Sequence, residues 1–214
     1  MTKPKLQLSL DTDDLRRALA QLSHIAEHID IIKIGPILAL SQGIACVRAI
    51  HQLYPNHTLV FDVKMTDASH ILTRMAMEAG AHWVTLSSAA HPETIRAAKE
   101  VAIQLNGDVQ IELHGHWTWQ DIEAWRYMGI NQVIYHRSLN AELAGQTWQE
   151  RDLDCIKRLI DLGLDVSVNG GVKPNDVGMF KHLELKTLII GRSLLQNESH
   201  ALAEEFHREL NLYW

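Results

Sequence analysis

Short runs of apolar and β-branched residues recur along the whole chain, separated by longer segments with the spacing of amphipathic helices. Runs of about four to eight such residues are typical of buried strands, whereas apolar positions three or four residues apart are typical of helices. The pattern predicts eight strands, at residues 6–10, 29–35, 58–64, 82–87, 109–113, 132–136, 165–169 and 187–191.

Start and stop signals support the helices between these strands. Pro92 and Pro174 suit the first turn of a helix, where a missing N–H leaves no bond unmade. Thr118, with Asp121 three residues later, resembles a capping box. Glycines close three helical stretches, at Gly80, Gly129 and Gly163.

Regular alternation of strands and helices predicts a parallel sheet, and eight such units predict its closure into a barrel. We therefore expect an α/β fold, a single (β/α)8 TIM barrel that spans residues 1–214 as one domain. An open doubly wound sheet is the structural alternative, although it rarely needs eight such regular units.

Composition narrows the class of protein. The 214 residues are 46% hydrophobic and 21% charged, and 20 basic against 26 acidic residues give a net charge of -6. This acidic balance argues against nucleic-acid binding, which favours a basic excess, and no apolar run approaches the ~20 residues of a membrane span. Cys46 and Cys155 lie far apart and form no disulfide framework, so we expect a cytoplasmic protein.

Ionisable residues fall where most of the predicted strands end. They are Asp11, Lys33, Asp62, Lys64, Glu112 and His136. Taken singly, Asp11 suits a helix cap, Asp62 and Lys64 suit a structural ion pair, and His136 suits a core histidine. Six such groups at one rim of a barrel are better explained by an active site, because buried charge must be paired or functional.

A phosphate site is predicted beside them. In barrels of this kind, the loops after the seventh and eighth strands often bind phosphate through backbone N–H groups. Here these loops contain Gly170-Gly171 and Gly191-Arg192, so that the backbone can approach an anion closely and a guanidinium can bind it. The alternative is that the glycines only turn the chain.

Three segments also resemble a known superfamily. The first strand with Asp11, the run Asp62-Val63-Lys64-Met65-Thr66-Asp67 and the pair Gly191-Arg192 resemble the orotidine-monophosphate decarboxylase superfamily. Within it, residues 107–119 with Glu112 and residues 133–138 with His136 resemble the 3-keto-L-gulonate 6-phosphate decarboxylases. The similarity covers essentially the whole chain.

The resemblance implies loss of CO2 from 3-keto-L-gulonate 6-phosphate through an enediolate, giving L-xylulose 5-phosphate in L-ascorbate and pentose catabolism. It implies a homodimer in which Asp67 enters the neighbouring active site. It also implies Mg²⁺ held by Asp62 and by a glutamate on the second strand. The implied roles are catalytic for Lys64, Asp67, Glu112, His136 and Lys33, and substrate-binding for Asp11, Asn169, Gly171, Gly191 and Arg192.

The sequence departs from this family pattern at three positions. Lys33 replaces the metal-binding glutamate, Leu139 replaces an arginine beside the substrate, and Asn169 replaces a threonine. We therefore expect Lys33 to occupy the space of the metal and to donate to Asp62 or to the developing oxyanion.

Three other functions stay open at this point. Lys33, Asp62, Lys64 and Asp67 reproduce the Lys–Asp–Lys–Asp set of the metal-free orotidine 5'-phosphate decarboxylases, which makes orotidine 5'-phosphate an alternative substrate. An aldolase similar to hexulose-6-phosphate synthase is the second alternative, because the superfamily also uses its enediolate in that way. The third is a catalytically silent sugar-phosphate binder.

Overall fold

The computed structural model describes residues 2–195 and 199–214. Its strands are β1 (Lys5–Leu10), β2 (Ile31–Ile34), β3 (Thr58–Met65), β4 (Trp83–Ser87), β5 (Asp108–Leu113), β6 (Gln132–His136), β7 (Asp165–Asn169) and β8 (Thr187–Ile190). Each strand pairs in parallel with the next, and β1 also pairs with β8, so the sheet closes into a barrel. The predicted (β/α)8 barrel is confirmed.

Helices surround the barrel. They are α1 (Leu15–Ile25), α2 (Pro36–Gln42), α3 (Ala45–Leu53), α4 (Ser69–Glu78), α5 (Pro92–Gln104), α6 (Trp119–Tyr127), α7 (Leu139–Leu143), α8 (Glu150–Asp161) and α9 (Ser199–Tyr213). Short 3₁₀ segments lie at Ala26–His28, Pro174–Phe180 and Arg192–Leu195. Within the described residues, no helix is both long and apolar enough to cross a bilayer.

Local signals in the sequence explain most helix ends. Pro92 occupies the first turn of α5, and the side chains of Thr118 and Asp121 form a complete capping box on α6. Pro174 instead begins a 3₁₀ segment, so a regular helix between β7 and β8 is not formed. Gly178 lies within this segment and weakens a helix there. It also packs so closely on Tyr213 of α9 that a Cβ atom would lie 2.9 Å from the tyrosine ring.

The two faces of the strands differ in polarity, because successive side chains point to opposite sides. Outward side chains such as Leu8, Ile32 and Leu59 are fully buried in the apolar core beneath the helices. Most inward side chains are polar yet buried, and they include Gln7, Ser9, Lys33, Asp62, Thr85, Gln110, Glu112, Ser167 and Thr187. The barrel interior is therefore a polar column that leads to the carboxyl ends of the strands.

Both cysteines lie on helices, Cys46 buried on α3 and Cys155 half-buried on α8, and both are free thiols. This agrees with the predicted lack of a disulfide framework, and the cytoplasmic location stays a prediction.

Candidate active site

A cavity of about 520 Å³ opens at the carboxyl ends of the strands. Its lining contains nine of the residues that the sequence predicted for the site, namely Asp11, Lys33, Asp62, Lys64, His136, Asn169, Gly171, Gly191 and Arg192. Glu112 lies directly beneath and contacts Lys64 and His136. The rim predicted from the sequence is therefore one physical site.

Asp62 is the centre of the charged cluster. The Lys33 Nζ atom lies 2.7 Å from Asp62 Oδ2, and these two side chains are only 2% and 0% exposed. The Lys64 Nζ atom lies 3.0 Å from Asp62 Oδ1 and 3.2 Å from Glu112 Oε2. The Lys64 side chain is 26% exposed, so Lys64 presents its ammonium group to the cavity while Lys33 is enclosed below it.

These ion pairs decide the protonation states. Burial lowers the pKa of Lys33, but the carboxylates of Asp62, Glu112 and Asp11 outweigh burial and raise it. Burial raises the pKa of Asp62, but Lys33 and Lys64 outweigh it and hold this pKa well below its usual range. Asp62 is therefore an anion between two ammonium groups at neutral pH.

Glu112 and His136 form the second part of the site. The Nδ1 atom of His136 contacts Glu112 Oε1 across the β5–β6 pair. Burial and the charge of Asp62 raise the pKa of Glu112, whereas the hydrogen bond from His136 and the two lysines lower it further, so the net shift is downward. An ionised Glu112 holds the His136 ring with Nδ1 as the donor, which leaves Nε2 free for proton exchange.

Asp11 points into the cavity rather than capping a helix. Its carboxylate accepts a hydrogen bond from the Ser9 hydroxyl at 2.9 Å. Helix α1 is capped by Asp14, whose carboxylate accepts the backbone N–H of Arg17 at 2.7 Å. The capping role considered for Asp11 therefore belongs to Asp14.

The predicted phosphate loops meet at one side of the cavity. Gly170 and Gly171 follow β7 with φ angles of 111° and 62°, which favour glycine, and Arg192 begins the 3₁₀ segment after β8. In the described part of the chain, the backbone N–H groups of Gly171 and Arg192 have no acceptor. These N–H groups and the Arg192 guanidinium are chemically suited to an anion.

Arg137 holds the glycine loop in place. Its guanidinium donates to the carbonyl of Gly170 at 2.7 and 3.1 Å and to the carbonyl of Gln146 at 2.7 Å. It also stacks over the Trp148 ring, 4.7 Å from the centroid. Because the Gly170 carbonyl is bound on the Arg137 side, this loop is tied to the segment after α7.

Glu142 of α7 brings a carboxylate to the same place. Its Oε2 atom lies 3.4 Å from Arg192 Nη2, and a Cβ atom on Gly171 would lie 2.5 Å from its Cδ atom. The carboxyl group therefore covers the two groups that are best suited to a phosphate.

Three other predicted residues have distinct outcomes. Asp67 lies outside this cavity, exposed at the start of α4, and its carboxylate accepts the N–H of Ala68 at 2.7 Å. Asn169 ends β7 and lines the cavity next to His136, its partner in the β6–β7 register. Leu139 begins α7, but its side chain lies outside the described residues, so its effect on the substrate wall stays a prediction.

The donor set does not fit a divalent cation at Asp62. Mg²⁺ requires near-octahedral oxygen coordination. Asp62 already binds Lys33, Lys64 and the Thr85 hydroxyl, and Lys33 is enclosed beside it. A cation at this carboxylate would have to displace a buried ammonium group.

Sequence reasoning missed Thr85, Arg137 and Glu142. Thr85 is a polar residue at an inward position of β4, so strand alternation was a usable signal for it. Arg137 follows His136 directly and is a cation at a strand end. Nothing in the sequence marked Glu142, because its position depends on how α7 folds back over the cavity.

Comparison with known proteins agrees with this geometry. The model of the orotidine 5'-phosphate decarboxylase / HUMPS family matches residues 4–205. The chain belongs to this family. It is 43% identical over 215 residues to a 3-keto-L-gulonate-6-phosphate decarboxylase of Salmonella typhi, and the match covers 100% of both chains.

Solved structures within this family are equally similar. The crystal structure of 3-keto-L-gulonate-6-phosphate decarboxylase from Vibrio cholerae is 46% identical and superposes with a TM-score of 0.94. A structure of KGPDC from Streptococcus mutans, in complex with a sugar phosphate, is 33% identical and has a TM-score of 0.97. Both comparisons cover 100% of each chain. The resemblance inferred from the sequence is confirmed.

Proposed function

We propose that this chain decarboxylates 3-keto-L-gulonate 6-phosphate to L-xylulose 5-phosphate and CO2. One observation carries the proposal: two ammonium groups on Asp62 and the Glu112–His136 pair meet in a single cavity. Relatives at 43% and 46% identity carry the name of this decarboxylase, which supports the same substrate here.

In this reaction the bond between C1 and C2 breaks and CO2 leaves. The electron pair of the broken bond stays on C2, joined to the C3 carbonyl, and gives an enediolate with negative charge on the C3 oxygen. We assign the stabilisation of this oxyanion to Lys64, because its ammonium group reaches the cavity. Lys33 adds positive charge from below and holds Asp62 in place.

A proton must then reach C2 to complete L-xylulose 5-phosphate. We assign its delivery to His136, with Glu112 orienting the ring, directly or through one water molecule. Asp11 and Asn169 line the same cavity and suit the sugar hydroxyls. Gly171, Gly191 and Arg192 suit the phosphate, since they offer backbone N–H groups and a guanidinium.

We further propose that the reaction here needs no Mg²⁺. The resemblance implies this metal, but exchanging a carboxylate ligand and a divalent cation for the single ammonium group of Lys33 keeps the formal charge of the cluster unchanged. Lys33 therefore supplies the positive charge, at 2.7 Å from Asp62.

One panel of assays tests both proposals. CO2 release is measured from 3-keto-L-gulonate 6-phosphate and from orotidine 5'-phosphate, each with Mg²⁺ and with a chelator. We expect release from the sugar acid alone, at equal rates with Mg²⁺ and with chelator. Release from orotidine 5'-phosphate alone would establish the alternative that the Lys33–Asp62–Lys64 arrangement favours. Loss of activity on chelation, with recovery on adding Mg²⁺, would disprove metal independence.

We also propose a homodimer in which Asp67 completes the neighbouring site. Asp67 lines a groove with Phe61, Met65 and Met75, apart from the cavity of its own chain. Ile71 and Met75 lie one turn apart on α4 and are 52% and 45% exposed. Exposed apolar side chains next to a site residue are typical of an interface, and a second copy is the occupant that would give Asp67 a catalytic role.

Two experiments test the dimer. Ile71→Glu should give a monomer by light scattering and lose activity, whereas Ile103→Glu, equally apolar and exposed on α5, should stay dimeric. Co-expression of Asp67→Asn with Lys64→Met should restore about a quarter of the wild-type activity, because half of the dimers would then carry one intact site. No recovery in the mixture would place Asp67 outside the neighbouring site.

A further inference from the structure

Thr85 lies at the centre of β4, inside the barrel and fully buried. Its hydroxyl donates to Asp62 Oδ1 at 2.7 Å and accepts the backbone N–H of Lys64 at 3.0 Å. One side chain therefore contacts both residues that carry the charged cluster, one through its carboxylate and the other through its backbone.

The pairing of β3 with β4 is irregular at this point. Phe61 pairs with Val84 and Met65 pairs with Leu86, so three residues of β3 lie opposite Thr85 alone. The register shift leaves part of β3 without its regular ladder partners, as in a β-bulge. The Thr85 hydroxyl replaces a ladder acceptor by taking the N–H of Lys64.

Lys64 itself has an unusual backbone conformation. Its φ angle is 46°, in the left-handed region that a residue with a Cβ atom rarely adopts. Such a conformation persists only where the surroundings hold it, and it is frequent at functional sites. The bulge lets Asp62 and Lys64 of one strand bring their charged groups within 3.0 Å of each other.

We propose that Thr85 is a positioning residue, which fixes the Lys64 backbone and the Asp62 carboxylate so that the Lys64 ammonium lies where the oxyanion forms. The effect on rate rests on the proposed function, whereas the effect on the Lys64 backbone does not. A displacement of about 1 Å at a reacting group can cost about 100-fold in rate, so this hydroxyl governs turnover without touching the substrate.

The test compares Thr85→Val, which keeps the shape and removes the hydroxyl, with Thr85→Ser, which keeps the hydroxyl. Thr187→Val is the matched control, since Thr187 is also fully buried in the barrel and its hydroxyl has no partner within the described residues. We expect kcat of Thr85→Val to fall about 10- to 100-fold. Its KM and its affinity for inorganic phosphate should change less than about twofold, because the Arg192 side of the cavity is untouched. Thr85→Ser and Thr187→Val should stay near wild type.

A second measurement does not depend on activity. Hydrogen exchange at the Lys64 amide should be at least about tenfold faster in Thr85→Val than in wild type or Thr187→Val, since its acceptor is lost. Unchanged kcat and unchanged exchange in Thr85→Val would overturn the proposal, as would an equal loss of kcat in Thr85→Ser. If the wild-type protein releases no CO2 but exchange at Lys64 is still faster in Thr85→Val, the positioning role is supported and the proposed reaction is overturned instead.

Discussion

Replacing Lys33 by methionine tests the charged cluster through its contribution to stability. Asp62 is 0% exposed, and Lys33 is one of its two cationic partners. Removing one member of a buried ion pair costs about 3–5 kcal/mol, because the other charge stays buried. Lys64 remains 3.0 Å from Asp62, so we expect the lower end of this range, about 3 kcal/mol. For a protein of this size, that loss corresponds to a Tm lower by about 6–12 °C.

The matched control is Lys157→Met. The Lys157 Nζ atom lies 2.6 Å from Asp161, as close as Lys33 lies to Asp62, but these side chains are 62% and 61% exposed. Exposed pairs of this helical spacing contribute about 0.3–0.5 kcal/mol. Urea denaturation at pH 7 gives both unfolding free energies. If Lys33→Met lost no more stability than Lys157→Met, burial would not be what makes the Asp62 cluster costly to break.

Three other predictions concern the charge of the site. The pKa of Lys33 is raised above its usual ~10.4, so its stabilising contribution is complete below about pH 10 and is lost as pH rises through the folded-state pKa. The stability gap between wild type and Lys33→Met should therefore be constant from about pH 7 to 10 and narrow above it, and a gap that closes below about pH 9 would contradict the raised pKa. Glu142→Gln should bind inorganic phosphate about two- to fivefold more tightly by calorimetry, because the carboxylate no longer competes for Arg192, while Glu150→Gln, exposed outside the cavity, should not. Arg137→Lys should raise KM about tenfold with a smaller change in kcat, since an ammonium group cannot bridge the carbonyls that the guanidinium binds.

The sequence predicted the barrel well because strands buried on both faces are distinct from the helices around them. All eight predicted strands are confirmed, with ends within two residues of those observed. The largest difference is at β2, which begins at Ile31 rather than Ile29. There the Asp30 carboxylate accepts the N–H of Leu6 at 2.8 Å, and a side-chain hydrogen bond of this kind has no signature in hydrophobic spacing.

Much of the candidate site was also predictable, for a topological reason. In a closed parallel barrel the carboxyl ends of all strands meet at one rim, so Asp11, Lys33, Asp62 and His136 were bound to come together once eight strands were recognised. Thr85 and Glu142 escaped prediction because their roles depend on a register shift and on the path of α7. Neither feature is set by the alternation of apolar and polar positions.

The register shift also explains why the pair Asp62–Lys64 is more than a structural ion pair. In a regular strand, side chains two residues apart point the same way but stand a full repeat apart along the strand. Here the left-handed backbone at Lys64 turns its ammonium group back onto both oxygens of Asp62, each at 3.0 Å, and towards Glu112. An ordinary stabilising pair would not require a strained backbone, whereas a catalytic ammonium group held at one point does. The strain at Lys64 therefore favours a functional reading of the cluster over a purely structural one.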